Sequence, residues 1–260
     1  MKEYMENRYP LFVGGRILKK EALWDMRDYI YGSLQQHYAG YTDGVLKGCR
    51  IRVEGSNLIV GKGIIKSEDF IYLLEEETLI PYTAGNRLTV LKAAFEKDTG
   101  HPDYLTYKIR FFLDNEPKRM GNQIELCRFH LRTGSVLRDE YQSFRDMGTE
   151  YDTVNLIDAA IAGKGHATLH PLLLLRFAGE LREKRERQPE DIAFCYQVQN
   201  TAGEISRELL EAYLLDKRKE YTPDEVEALD NAGIYKELEN ILSRQGKEAA
   251  DLSRKVIYVE

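Results

Sequence analysis

The feature that most constrains this chain is a change of hydrophobic period part-way along it. Before about residue 150, apolar and polar residues alternate in short runs; beyond it, apolar residues recur at spacings of three and four. Alternation places every second side chain on one face of a strand. Over 123–132, Cys127, Phe129 and Leu131 oppose Arg128, His130 and Arg132. Over 104–113, Tyr107, Ile109, Phe111 and Leu113 oppose Lys108 and Arg110. Cys49, Ile51 and Val53 oppose Arg50, Arg52 and Glu54 in the same way. With further runs at 58–60, 64–65, 70–74, 78–81 and 87–95, the first half predicts about eight short strands.

One helix belongs to that half. Leu23, Met26, Ile30 and Leu34 share one side of 19–37, a spacing that lays the helix across its own sheet. A strand ending in Gly14-Gly15 precedes it, and Asp43-Gly44 turns the chain after it. The second half reads as helices. Leu172-Leu173-Leu174-Leu175, Phe177 and Leu181 predict a helix apolar all round and centrally buried. A second helix opens at Pro189 with Ile192, Cys195, Tyr196 and Gln199 on one face, and Ser206 caps a third carrying Leu209, Leu210, Tyr213 and Leu214. Thr222-Pro223-Asp224-Glu225 is a capping-box start, and the helix it opens is interrupted at Asn231-Ala232-Gly233 and ends at Gly246. The tail 255–260 alternates and reads as a short terminal strand.

The expected class is therefore α+β: an N-terminal β-sandwich or partly closed barrel with one long helix, then a small all-α domain. The division expected is 1–150, a β-rich attachment domain, and 151–260, a helical domain, with the boundary between Met147 and Leu169.

Composition excludes some function classes. A net charge of −6 and a pI near 5.6 argue against a general nucleic-acid or anionic-membrane binder. The first residues lack an apolar core, so no signal peptide is expected, and no stretch approaches the length of a bilayer-spanning helix. Cys49, Cys127 and Cys195 are scattered among apolar residues and read as buried thiols of a reducing compartment.

Each catalytic constellation lacks a part. Gly61-Lys62-Gly63 and Gly163-Lys164-Gly165 miss the upstream glycine and the following hydroxyl of a phosphate loop, so both read as turns. No motor motif is present. His166 and His170 are four apart, but no glutamate lies between them and no third ligand is evident; structural histidines or a helix cap are the better reading. The run Glu75-Glu76-Glu77 reads as a solvated rim that opposes strand pairing. No catalytic residue, metal ligand or cofactor site is expected. The residues singled out for a partner interface are Trp24, Tyr31 and Tyr38, on a stripe beside the apolar face of the first helix.

The order strand, Gly14-Gly15, helix, Asp43 to Gly48, two strands, Gly61-x-Gly63, strand resembles an attachment module of bacteriophage tail proteins, near the N-terminus of baseplate components and receptor-binding proteins. The type VI secretion baseplate has a related shoulder module. The whole chain resembles a family in prophages and phage-tail-like particles of Gram-positive anaerobes. The matching stretches are 9–20, 72–77, 162–165 and Thr168-Leu169-x-Pro171. Some members carry a helicase label, which the missing motor motifs contradict here.

The resemblance implies a virion structural protein without catalysis: a baseplate or tail-fibre adaptor, made in the host cytoplasm and placed in the tail. It implies baseplate or tail proteins, a tail fibre or receptor-binding protein, and further copies of the chain as partners, with no nucleic acid and no membrane insertion. The competing classes are an enzyme of unrecognised type, such as a cell-wall hydrolase, and a regulatory binding module outside any particle. Carboxylates of raised pKa in a cleft would favour the enzyme; exposed apolar or tyrosine-rich patches would favour the adaptor.

Overall fold

The computed structural model describes residues 8–254 except residue 202. The tail expected as a strand, 255–260, lies outside the described residues. Contacts divide the chain into two compact units, Met1–Gly40 and Tyr41–Glu260.

In the first unit the chain from 8 to 13 has no regular structure, so the strand expected before Gly14-Gly15 is not formed. A turn at Gly14-Gly15, with Gly15 at φ +81°, leads to helix α1, Lys20–His37. No residue of α1 is buried.

The second unit is α+β. Among the described residues its nine strands are β1 Gly44–Gly48, β2 Ile51–Glu54, β3 Asn57–Val60, β4 Gly63–Ser67, β5 Phe70–Leu74, β6 Thr78–Pro81, β7 Leu88–Asp98, β8 Thr106–Asp114 and β9 Gln123–His130. They form three antiparallel sheets of three strands, ordered β1-β4-β5, β2-β3-β6 and β8-β7-β9. No barrel closes among them. The β2–β3 hairpin turns on two residues, and Gly55 at φ +59° supplies the left-handed position such a turn needs. β1, which starts within the expected Asp43-Gly44 turn, is not among the expected strands; its first three residues are all buried, and a bulge between Val45 and Lys47 breaks the alternation. Where alternation is intact it chooses faces correctly: Tyr107, Ile109, Phe111 and Leu113 all pack onto the first core.

That core joins all three sheets around Leu58, Val60, Ile65, Leu91, Cys127 and Phe129. The irregular stretch after residue 150 completes it with Val154, Leu156, Ala159 and Ile161. Its backbone is paired: Asn155 and Arg128 exchange N–H···O bonds of 2.8 and 3.0 Å, Ala160 donates to Glu125 O at 2.8 Å, and Val45 donates to Ala160 O at 2.8 Å.

A second core begins at the 3₁₀ turn Arg145–Gly148 and is built by α2 Pro171–Glu183, α3 Pro189–Asn200, α4 Arg207–Lys217, α5 Pro223–Glu227 and α6 Asn231–Arg254. Phe144 stacks on Tyr235 at 4.6 Å, and Phe194 on Tyr213 at 4.2 Å. In α2, Leu173 and Leu174 are fully buried whereas Leu172 and Leu175 are exposed, so the helix is one-sided and not central. In α3 the buried face is Phe194, Cys195 and Val198; Ile192 and Tyr196 point to solvent, opposite to expectation. The caps follow the sequence: Ser206 accepts from Leu209 N, and Thr222 with Glu225 closes a capping box. The interruption expected at Asn231-Ala232-Gly233 falls instead at 228–230; Asn231 opens α6, which continues past Gly246 to Arg254.

Candidate functional site

An isolated helix of this length is marginal in water, because most helical stability in proteins comes from packing an amphipathic face. α1 has no side chain to cap its N-terminus, and Glu21 and His37 sit at favourable ends of its dipole. Those effects are worth only tenths of a kcal/mol each. Its apolar side chains are open to water: Leu23, Met26 and Ile30 are 42%, 42% and 58% exposed. Beside them, Trp24 is 48% and Tyr31 52% exposed, and Lys20 Nζ lies 5.0 Å from the Trp24 ring. Tyr38 is the C-cap, half-buried, edge-on to His37 at 4.7 Å. The segment before the helix adds Tyr9, Leu11, Phe12, Ile17 and Leu18, each more than half exposed.

Trp24 and Tyr31 lie seven apart on one stripe of α1, and Tyr38, seven further on, is the C-cap just beyond its last turn. Their role as an interface is taken up below.

Within the second unit, a polar cleft of about 440 Å³ is lined by Arg119, Glu125, Arg128, Asp158, His166 and Arg207, with acidic residues of α4 and α5 at its rim. Glu125 is buried on β9, and desolvation raises its pKa against the opposing pull of Arg128. The Arg128 guanidinium binds both Glu125 oxygens, at 2.6 and 2.8 Å, and reaches Asp158 at 2.7 Å. This three-residue bridge was not legible in the sequence, since Asp158 comes from the irregular stretch and Glu125 sits in an apolar run.

The other singled-out residues take structural places. His170 caps α2, its Nδ1 accepting from Leu172 N at 3.1 Å, while His166 is exposed and lies apart from it in role. Gly63 opens a strand, so no helix N-terminus follows it to cradle a phosphate. At Gly48, whose φ is +71°, an added Cβ would lie 2.3 Å from Lys62 O; these glycines serve a close crossing of two backbones. Cys49, Cys127 and Cys195 are free and buried, and burial pushes the Cys49 thiol up to about 12. A thiol held protonated is a poor nucleophile. Glu75, Glu76 and Glu77 form an exposed rim, with Glu77 bound by both oxygens to Arg52 Nη2 at 2.7 Å. Among the described residues no group of three or more His, Cys, Asp or Glu could hold a metal ion.

No family model and no curated protein matches this chain. Solved structures of type VI secretion proteins are similar to it at a distance. A crystal structure of TssK aligns at TM-score 0.43 and 10% identity over 93% of this chain and 72% of that one. A chain of the TssK–TssF–TssG baseplate subcomplex aligns at 0.41 and 11%, over 92% and 99%. A chain of the type VI secretion baseplate complex aligns at 0.39 and 11%, over 93% and 70%. Similarity of this size establishes neither the fold nor the role of this chain.

In the stretches that carry the sequence resemblance, the residues have definable jobs. Thr168 is buried and its hydroxyl donates to Ile205 O at 2.6 Å; Leu169 is fully buried, and Pro171 is the first residue of α2. They fix the start of the helical core.

Proposed function

We propose that this chain is a non-catalytic structural component of a phage tail or phage-tail-like particle, a baseplate or tail-fibre adaptor. In this reading 9–66 is the main attachment surface, with Trp24, Tyr31 and Tyr38 as its anchors. Residues 1–150 attach the protein to the baseplate, and 151–260 contact a neighbouring tail fibre, receptor-binding protein or further copy. The observation that carries the proposal is α1: a helix of 18 residues with none buried, rich in Trp, Tyr and Leu, preceded by more exposed apolar residues. Covering each large apolar side chain contributes about 1.5–3 kcal/mol, and a partner surface would supply it. The decisive experiment is purification of assembled tails from cells making the wild-type chain or a Trp24→Ala/Tyr31→Ala double variant. Wild type should co-purify with tails and the variant should be depleted from them while remaining folded. Equal incorporation of both, or wild type found only outside particles, would overturn the proposal.

One observation favours a hydrolase instead: Glu125, raised in pKa and lining a cleft. Against it, Arg128 binds both carboxylate oxygens, at 2.6 and 2.8 Å, an arrangement that favours the ionised acceptor over a proton donor. Release of soluble fragments from purified cell wall, lost in Glu125→Gln, would establish the hydrolase.

A further inference from the structure

The sheets of the Tyr41–Glu260 unit do not treat their edges alike. The outer edge of β1 is paired to the chain after residue 150: Val45 donates to Ala160 O at 2.8 Å and accepts from Ala162 N at 3.0 Å. The outer edge of β9 is paired in the same way, Arg128 with Asn155, and His130 O accepting from Asp152 N at 2.7 Å. β2, β5 and β6 are edges of four or five residues. β8 is an edge of nine. It pairs with β7 along its whole length without a bulge, contains no proline, and has no buried residue. Among the described residues no backbone hydrogen bond reaches its outer side. A long, regular, unpaired edge is a template for another strand.

Which groups face outward follows from β7. Phe95 donates its N–H to Asn122 O at 3.0 Å, and its carbonyl accepts from Asn122 Nδ2 at 3.1 Å, so its backbone turns toward β9. Backbone groups alternate sides along a strand, so Ala94, Lys92 and Val90 turn toward β8, opposite Arg110, Phe112 and Asp114. Tyr107, Ile109, Phe111 and Leu113 therefore hold their N–H and C=O on the open side. Their side chains pack onto the first core, which leaves Lys108, Arg110, Phe112 and Asp114 on the other face.

We propose that β8 pairs with β8 of a second copy of this chain, antiparallel, about a two-fold axis at Phe111. Ile109, Phe111 and Leu113 then each donate and accept one backbone hydrogen bond across the axis, and the two three-stranded sheets become one. Charge selects this register. An axis at Arg110 sets Arg110 against itself, and one at Ile109 sets Lys108 against Arg110, like charges directly opposite. An axis at Phe112 shortens the overlap to residues 110–114. At Phe111 the strands overlap over 108–114, with Lys108 facing Asp114 and Arg110 facing Phe112. Lys108 and Asp114 keep Asp98 and Lys92 as their own partners, at 2.7 Å each, so they add an opposite-charge neighbour and no new ion pair. Arg110 already lies 4.8 Å from its own Phe112 ring, and the axis repeats that contact between copies. The same axis brings the loop before one β8, with Tyr104 and Leu105 exposed, toward the loop after the other, with Met120 exposed. None of this depends on α1 or on a place in a tail.

The test combines sedimentation of the full chain with amide hydrogen exchange across a concentration series. A monomer–dimer equilibrium is expected between micromolar and millimolar protein. The amides of Ile109, Phe111 and Leu113 should exchange about tenfold or more slowly at the dimeric end of the series, while those of Lys108 and Arg110, already bonded to β7, serve as the internal reference. Phe112 lies outside both cores. Phe112→Lys sets like charges opposite Arg110 twice by symmetry and should raise the dissociation constant about tenfold with the melting temperature little changed. Arg110→Glu/Phe112→Lys sets opposite charges at the same two contacts and should restore the dimer. A monomer throughout the series, a dimer whose β8 amides are not slowed, or a double variant as weak as Phe112→Lys would overturn the proposal. Should Phe112→Lys fail to fold, the exchange of the wild-type amides decides alone.

Discussion

Lys92 has no accessible surface, yet it carries a charge in the middle of β7. Its ammonium donates to Asp114 Oδ2 at 2.7 Å and to Lys118 O at 2.6 Å, tying the chain after β8 back to the sheet. The two partners are not equivalent. The Asp114 side chain keeps 35% of its surface and would rehydrate if Lys92 were lost, whereas Lys92 has no water to turn to. Asp114→Ala should therefore cost ~3–5 kcal/mol in urea denaturation, and Lys92→Met clearly less, ~1–2 kcal/mol. The reverse order would show that the bond to Lys118 O matters more than the ion pair. His170 makes a second, pH-dependent prediction. Burial pulls its pKa from 6.5 down to about 4, and its Nδ1 must stay unprotonated to accept from Leu172 N. The folded state thus binds fewer protons than the unfolded one. Stability should be full above pH 6.5 and decline as pH falls toward 4. Because the side chain is only half-buried by exposure, a loss of ~1–2 kcal/mol is expected over that window. His170→Asn, a neutral cap, should flatten this part of the melting temperature–pH curve relative to wild type. Parallel curves would exclude His170 as the source.

At the scale of elements, α1 separates two meanings of an aromatic stripe. A core tryptophan replaced by alanine costs ~3–5 kcal/mol, whereas an exposed one costs little. With Trp24 48% exposed, Trp24→Ala in the isolated protein should change stability by no more than ~0.5 kcal/mol, read from thermal melting. Its incorporation into tails should weaken by ~2 kcal/mol or more if the stripe anchors a partner. A large melting loss would move the attachment surface elsewhere. The elements themselves were legible where one face is wet and one dry. β8 and the later part of β9 show this, with Lys108, Arg110, Arg128 and His130 marking the less buried face. Legibility failed where both faces are covered or neither is. β7 is buried on both sides from Val90 to Phe95, and β1 breaks step at its bulge. In α3, apolar residues surround the helix, so Ile192 and Tyr196 were as eligible for the core as Phe194 and Val198. The segment from 8 to 13 is apolar enough for a strand, but among the described residues no strand pairs with it.

For the whole molecule, the change of period near residue 150 and the closure of the first core do not coincide. Val154, Leu156, Ala159 and Ile161 follow the change yet complete the core made by the strands. A fragment of residues 1–162 should melt cooperatively, and one of residues 1–150, which lacks those four side chains, should melt at markedly lower temperature or not fold. Circular dichroism melts of the two fragments decide this, and indistinguishable melts would place the division at 150. The polar cleft was beyond sequence reasoning because its walls come from segments tens of residues apart, such as Glu125 and Arg207. The three free thiols have a practical consequence at this scale. Cys49 and Cys127 lie in the first core and Cys195 in the second, with no more than 4% of any of them exposed. A thiol reagent reaches each only when the surrounding structure opens. Alkylation followed by mass spectrometry of the three peptides therefore times the opening of the two cores separately, with native residues as the clocks.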